Sequence, residues 1–116
     1  MTTKCLLVCE NDFLVAGVKA FLADQTELEI NTVRAKSGME VFQAIETLHP
    51  EVVIVDEGLH ALPPTLLSEM RRRLPNLRLI VLNHEDNVLR IYRGSWSAES
   101  QVQDLGKVIT NHLPHS

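Results

Sequence analysis

The stretch Glu51-Val52-Val53-Ile54-Val55-Asp56 sets four consecutive β-branched residues between two acids. Such a run suits a strand enclosed on both faces, as in the middle of a parallel sheet, because a strand with one wet face alternates apolar and polar residues. Pro50 stands just before it and disfavours helical geometry at His49, so any helix upstream ends by that residue. The upstream helix has its own start signal. Ser37-Gly38-Met39-Glu40 has the Ser-x-x-Glu form of a capping box, and Val41, Ile45 and Leu48 then recur as an apolar stripe.

Further out on the N-terminal side, Leu28 to Arg34 mixes β-branched and polar residues as an edge strand does. The apolar run Lys4 to Cys9 stops at Glu10-Asn11-Asp12 and is followed by Leu14, Val18, Phe21 and Leu22, the pattern of a strand leading into an amphipathic helix. On the C-terminal side, Pro63-Pro64 opens a helix that carries Leu66, Leu67, Met70 and Leu74 inward and is stopped by Pro75. Leu77 to Leu82 forms the next strand. Strand and helix thus alternate three times before this strand. Right-handed crossovers then build an α/β fold, an open, doubly wound and mainly parallel sheet.

The alternation fails after Asn83. Only His84-Glu85-Asp86-Asn87 separates the fourth strand from Val88-Leu89-Arg90-Ile91-Tyr92-Arg93, whereas a parallel crossover needs about a dozen residues or more. The length suits a hairpin that lays Val88 to Arg93 antiparallel to the fourth strand at the sheet edge, with a short helix over the same residues as the competing assignment. Ser97 is a candidate N-cap for a last helix reaching His112, with Val102, Leu105, Val108, Ile109 and Leu113 on one side.

At 116 residues the chain has the length of one domain, spanning residues 1–116. Its 45% hydrophobic and 22% charged residues are those of an ordinary packed domain. A formal net charge of −4 opposes nucleic acid as a primary partner. No apolar run approaches the roughly 18 residues of a membrane span, and a cytoplasmic location is expected. Cys5 and Cys9 lie four apart on one strand, hence on one side and about 13 Å apart, too far for a disulfide. Both are read as buried free thiols.

In open α/β sheets, ligands bind beyond the carboxyl ends of the strands. Here those ends carry Glu10, Asn11, Asp56 and Asn83. Acids converging from separate strands repel one another, and a hard cation such as Mg²⁺ relieves the repulsion through carboxylates, carbonyls and waters. Beside such a cation, Asp56 has the chemistry to attack a phosphoryl group and form an acyl phosphate.

Leu6-Leu7-Val8-Cys9-Glu10-Asn11-Asp12, Pro50-Glu51-Val52-Val53-Ile54-Val55-Asp56 and Leu79-Ile80-Val81-Leu82-Asn83 together resemble the first, third and fourth strands of the receiver domain of bacterial two-component response regulators. The resemblance runs from Lys4 to about Asn83. It implies a flavodoxin-like fold with strand order 2-1-3-4-5, here with the fourth crossover helix or the fifth strand missing or altered. By the same resemblance Asp56 is the phospho-acceptor position, Glu10 and Asn11 are the acidic-pair positions for Mg²⁺, and Gly58 offers a backbone carbonyl to the metal. Asn83 occupies the position of the switch Thr or Ser.

The departures from the family pattern are specific. Asn11 stands where an aspartate is usual, removing one charge from a metal site that depends on charge. Asn83 puts an amide where a hydroxyl is usual. The family's lysine has no counterpart; Arg93 and Gly94 are nearest, and an arginine fork does not reproduce a compact ammonium. The expected function is therefore a stand-alone, atypical receiver that signals by binding a histidine kinase or an output protein, as a homodimer, with phosphorylation of Asp56 weak or absent. Any enzymatic activity is limited to self-catalysed phosphotransfer and dephosphorylation at Asp56. The alternative is a functional acceptor that takes phosphate from a histidine kinase onto Asp56 with Mg²⁺. A flavodoxin-like ligand binder is a third reading, but no Gly-rich phosphate loop follows the first strand. Tyr92 and Trp96, two of the few aromatics, are candidate interface anchors in the irregular region. Arg71-Arg72-Arg73 is read as complementing the dipole at a helix C-terminus.

Overall fold

The four β-branched residues of the third strand are all fully enclosed: Val52, Val53, Ile54 and Val55 are each 0% exposed. They belong to a computed structural model that describes residues 3–9, 12–22, 28–34, 36–56, 63–83, 88–93 and 96–101, the side chains of 12–15, 21, 64 and 96 excepted. The elements are β1 (Thr3–Cys9), α1 (Asp12–Phe21), β2 (Leu28–Arg34), α2 (Gly38–Leu48), β3 (Val52–Asp56), α3 (Pro64–Arg73), β4 (Arg78–Asn83), β5 (Val88–Arg93) and β6 (Trp96–Gln101). They build one six-stranded sheet of order β2-β1-β3-β4-β5-β6. The first four strands of that order run parallel, while β5 is antiparallel to β4 and β6 to β5.

Alternation along the strands divides the core into two layers. On the α1 side Cys5, Leu7, Cys9, Val52, Ile54, Ile80, Leu82, Leu89 and Ile91 pack with Val18 and Leu22. On the α2/α3 side Leu6, Val8, Val53, Val55, Leu79 and Val81 pack with Val41, Ile45 and Met70. Burying each aliphatic side chain of β3 stabilises the fold by roughly 1.5–3 kcal/mol relative to full exposure, an upper figure because unfolded chains already hide some surface.

The local signals act much as their chemistry dictates. Ser37 caps α2 by accepting from the Glu40 N–H at 3.4 Å, but the Glu40 carboxylate reaches back to the N–H of Lys36, at 2.8 Å, one residue before the cap. The helix stops ahead of buried Pro50 with His49 in the left-handed region (φ 49°), where its N–H donates to the Ile45 carbonyl. Pro64 begins α3 with no side-chain cap, since a proline in the first turn lacks an N–H to satisfy. The expected stripes of α2 and α3 face inward, Met70 fully and Leu48, Leu66, Leu67 and Leu74 in part. Of the four apolar residues expected to face inward from α1, Val18 and Leu22 do so, and the side chains of Leu14 and Phe21 lie outside the described residues.

Both cysteines are buried thiols in no disulfide, on the same layer of β1. Burial pushes the Cys5 thiol up to about 11, against the opposing pull of Arg78 and with a smaller push from Glu51.

Two expectations need correction. The fifth strand is antiparallel to β4 as its short connection requires, with Asn83 level with Val88, but it is not the sheet edge because β6 lies outside it. Correspondingly, Ser97 does not cap a helix: Ser97 to Gln101 lie within β6, whose Trp96 is paired with Arg93 across only two residues. Six positions at the hairpin's second arm satisfy the outer hydrogen-bonding row of β5, and an unpaired row inside a sheet is costly. The apolar periodicity behind the expected helix begins at Val102, and 102–116 lie outside the described residues.

The hairpin pair also shows how the sheet manages without a crossover helix after β4. By register the α2/α3 side of β5 and β6 carries Val88, Arg90 and Tyr92 opposite Gln101, Glu99 and Ser97. Arg90 and Glu99 form a cross-strand ion pair at 3.7 Å, both exposed. Leu89 and Ile91, on the α1 side, are 0% and 3% exposed. One polar and one apolar face is the usual solution for antiparallel strands beside solvent, whereas a parallel strand would need a helix over it.

Candidate functional site

The carboxyl edge of the parallel strands brings Asp56 and Asn83 to adjacent positions. Val55 is level with Val8 of β1 and Val81 of β4, and Asp56 is level with Leu82. Cys9 therefore stands beside Asp56 on the β1 side, and Asn83 lies one residue past it on β4. Ile54 and Leu82 belong to the α1 layer, so the two-residue alternation assigns Asp56 to that side and Asn83 to the other at the end of its strand. Both residues are half-buried, at the rim of the core.

The placement of Asp56 follows from its neighbours. Four enclosed residues hold β3 between β1 and β4, and the strand ends at the first residue whose charge resists burial. Cys9 ends β1 in the same row, fully buried, with its Sγ 3.8 Å from the Val33 carbonyl of β2.

Of the expected metal ligands, Asp56 is described, while Glu10, Asn11 and Gly58 lie outside the described residues. Among the described residues no group of three or more His, Cys, Asp and Glu side chains is gathered to hold a metal ion. Of the expected interface pair, Tyr92 is half-buried against the α2/α3 layer and the side chain of Trp96 lies outside the described residues. Among the described residues no helix is long and apolar enough to cross a membrane.

The structure also shows contacts that a reading of Arg71-Arg72-Arg73 as a helix-dipole complement does not contain. The Arg71 guanidinium lies over the Tyr92 ring, 4.4 Å from its centroid, and that of Arg73 lies 5.7 Å from the centroid of Phe42 in α2. Glu69 is 3.5 Å from Arg72 and 3.8 Å from Arg73. Across the β4–β5 pair, Arg78 is directly level with Arg93. Burial holds the Arg78 guanidinium below its ordinary value, with Arg93 pulling the same way and Glu51 opposing. The signal was present in the sequence as a bias, since six of the seven arginines fall between positions 71 and 93.

Comparison with solved structures places this fold. It is similar to the RcsB response regulator of Salmonella typhimurium, with a TM-score of 0.61 and 17% identity over 72% of this chain and 44% of that one. It is also similar to the non-phosphorylated receiver domain of the stress response regulator RcsB from Escherichia coli, at 0.59 and 16% over 71% and 65%. A response regulator receiver domain protein from Clostridium thermocellum gives 0.56 and 24% over 72% and 68%. The chain spans less than half of the Salmonella regulator and just under two thirds of the isolated RcsB domain. No protein-family model matches the sequence, and neither does any curated protein.

The fold is that of a response-regulator receiver domain, a flavodoxin-like α/β sheet in the order β2-β1-β3-β4-β5. Its particular form ends in an antiparallel β4–β5–β6 meander in place of a parallel fifth strand reached through a crossover helix.

Proposed function

We propose that this domain works in signal transduction, in the cytoplasm, as an atypical receiver that acts through protein contacts, with phosphorylation of Asp56 weak or absent. The observation that carries this is the antiparallel β4–β5 pair, in which four residues join Asn83 to Val88. So short a connection leaves no room for a crossover helix whose position could follow the state of Asp56. Asn83, at the end of β4, brings an amide to the position where the resembling family uses a hydroxyl. The Salmonella and E. coli proteins similar to it are named as response regulators, which supports a signalling role.

One observation favours a second reading, a working acceptor that takes phosphate from a histidine kinase. Asp56 still closes the central strand, partly exposed, level with the end of β1. In that case Glu10, Asn11, Asp56 and the Gly58 carbonyl are the groups that would hold Mg²⁺. Its charge would offset that of an incoming phosphoryl group while the Asp56 carboxylate attacks.

Exposure to a small acyl phosphate with Mg²⁺, followed by intact-protein mass spectrometry, separates the two. Under the favoured reading wild type and Asp56→Asn both stay at their unmodified masses. A stoichiometric phosphoryl gain in wild type that is lost in Asp56→Asn overturns it in favour of the acceptor.

The protein contact includes a second copy of the chain, with Tyr92 and Trp96 as anchors near the hairpin. Light scattering is expected to give a dimer for wild type and a monomer for the double variant Tyr92→Ala/Trp96→Ala. A wild-type monomer removes self-association.

A further inference from the structure

The sheet ends on one side with β6, and among the described residues no strand lies beyond it. Which backbone groups of β6 face outward follows from the hairpin. Arg93 and Trp96 pair across a two-residue connection, and the pair that closes so short a turn is of the hydrogen-bonded kind. Such pairs alternate with non-hydrogen-bonded ones along an antiparallel ladder. Ile91 and Ala98 are then a hydrogen-bonded pair, whereas Tyr92 with Ser97 and Arg90 with Glu99 are not. The N–H and C=O groups of Ser97 and Glu99 therefore point away from β5, toward the next strand position.

Exposed edges are normally blunted by lysines, prolines or bulges. β6 has none of these. Its register with β5 is unbroken from Trp96 to Gln101, and Trp96-Ser97-Ala98-Glu99-Ser100-Gln101 holds neither Lys nor Pro. Its one charge, Glu99, faces Arg90 of β5 at 3.7 Å, which weakens the repulsion it could exert on a second carboxylate-bearing strand. Ser97 and Glu99 are both exposed.

We propose that β6 pairs edge to edge with β6 of a second copy, antiparallel about a two-fold axis at Ala98, joining the two six-stranded sheets into one. The proposal rests on the self-association reading above and gives its geometry. A two-fold axis normal to the sheet sets residues of the same face opposite one another, at equal distances from one central residue. Centred on Ala98, Ser97 of each copy meets Glu99 of the other, and their outward N–H and C=O groups exchange hydrogen bonds on both sides of the axis. Centred on Glu99, two carboxylates would stand directly opposed, which is destabilising. Centred on Ser97, the ladder would run past the start of β6 at Trp96. That β6 fits itself in one register, with no like charges opposed, argues for a second copy over an unrelated strand. Backbone hydrogen bonds supply the affinity in such strand addition, and so short a ladder belongs with small, transient interfaces.

The test is disulfide trapping together with analytical ultracentrifugation of the intact chain. The two Ala98 residues would form a non-hydrogen-bonded pair with Cα atoms about 4.5 Å apart, inside the range of about 4.4–6.8 Å that a disulfide spans. Ala98→Cys is therefore expected to give a covalent dimer under mild oxidation. Thr32→Cys, exposed on the opposite edge strand β2, is expected to stay unlinked, and the native Cys5 and Cys9 are buried. Ser97→Pro removes an outward N–H and leaves the ladder to β5 intact, the setting in which an edge strand tolerates proline. It is expected to fold, as circular dichroism would verify, and to dimerise at least about tenfold more weakly than wild type. If it does not fold, the two cysteine variants decide. The proposal is overturned if wild type dimerises but Ala98→Cys is not linked, if Thr32→Cys is linked as readily, or if folded Ser97→Pro dimerises as tightly as wild type. In each of these cases self-association stands and only its geometry falls. A wild-type monomer overturns both and leaves the edge to a strand of another protein.

Discussion

Ile54→Ala is expected to lower the free energy of unfolding by about 2–5 kcal/mol, seen as an earlier urea midpoint with little change in slope. Ile54 is fully buried at the centre of β3, level with Leu7 on one neighbouring strand and Ile80 on the other. Both of those residues share its layer, with Val18 of α1 and Leu22 just after that helix across from them. Truncation removes methyl and methylene groups from a site hemmed in by hydrogen-bonded backbone on both sides, so the walls cannot close on the space left, and a cavity cost adds to the lost transfer energy. Domains of this size are stable by only about 5–15 kcal/mol, so the variant sits near the threshold of folding. A loss under about 1 kcal/mol would mean that β3 is not enclosed on its α1 side.

Leu89→Ala is expected to cost a similar amount, about 2–5 kcal/mol, while Arg90→Ala costs about 0.2–1 kcal/mol or less. The contrast between neighbours is the useful quantity. Leu89 is level with Leu82 of β4 and 0% exposed, in the same layer as Ile54. Arg90 points to the other side, where its partner is Glu99 in an exposed pair, and such pairs are weak because water screens both charges. A surface helix over Val88 to Arg93 would leave Leu89 partly wet and its truncation mild. Comparable small losses for both variants in parallel urea titrations would remove the antiparallel β5 from the structure. If Leu89→Ala is severe and Arg90→Ala mild, the hairpin belongs to the core.

The parts of this fold that were legible beforehand are those where a local pattern has one physical solution. Val52 to Val55 fit only a strand covered on both faces. Pro50, Pro64 and Pro75 restrict helices whatever the rest of the chain does, and the four residues after Asn83 are too few for a crossover in any fold. The strand β6 was missed because Ser97-Ala98-Glu99-Ser100-Gln101 has almost no apolar alternation, its partner β5 supplying the buried side chains. One sign was available: Gly94-Ser95 is a two-residue spacer of the hairpin type, set between Arg93 and Trp96.

At the candidate site, Asp56 could be singled out because a charge ending an apolar strand must lie at the rim of the core. Its level with Cys9 and Leu82 needed the sheet register, which parallel strands joined by long crossovers do not encode in any one segment. The contacts among the arginines of 71–93 were visible only as a bias in composition. That Arg71 meets Tyr92 and Arg78 meets Arg93 depends on α3 lying over a strand that follows it in sequence and runs back along β4.

The sequence by itself determined that this chain is an α/β domain with β3 at its centre, and that Asp56 ends that strand, because burial of β-branched side chains and the backbone limits of proline act on neighbours in the chain. Only the tertiary structure decided that β4, β5 and β6 form an antiparallel meander and that Arg78 comes level with Arg93. Those features come from pairing between segments, and a backbone hydrogen-bond ladder is indifferent to the side chains of the strand it recruits.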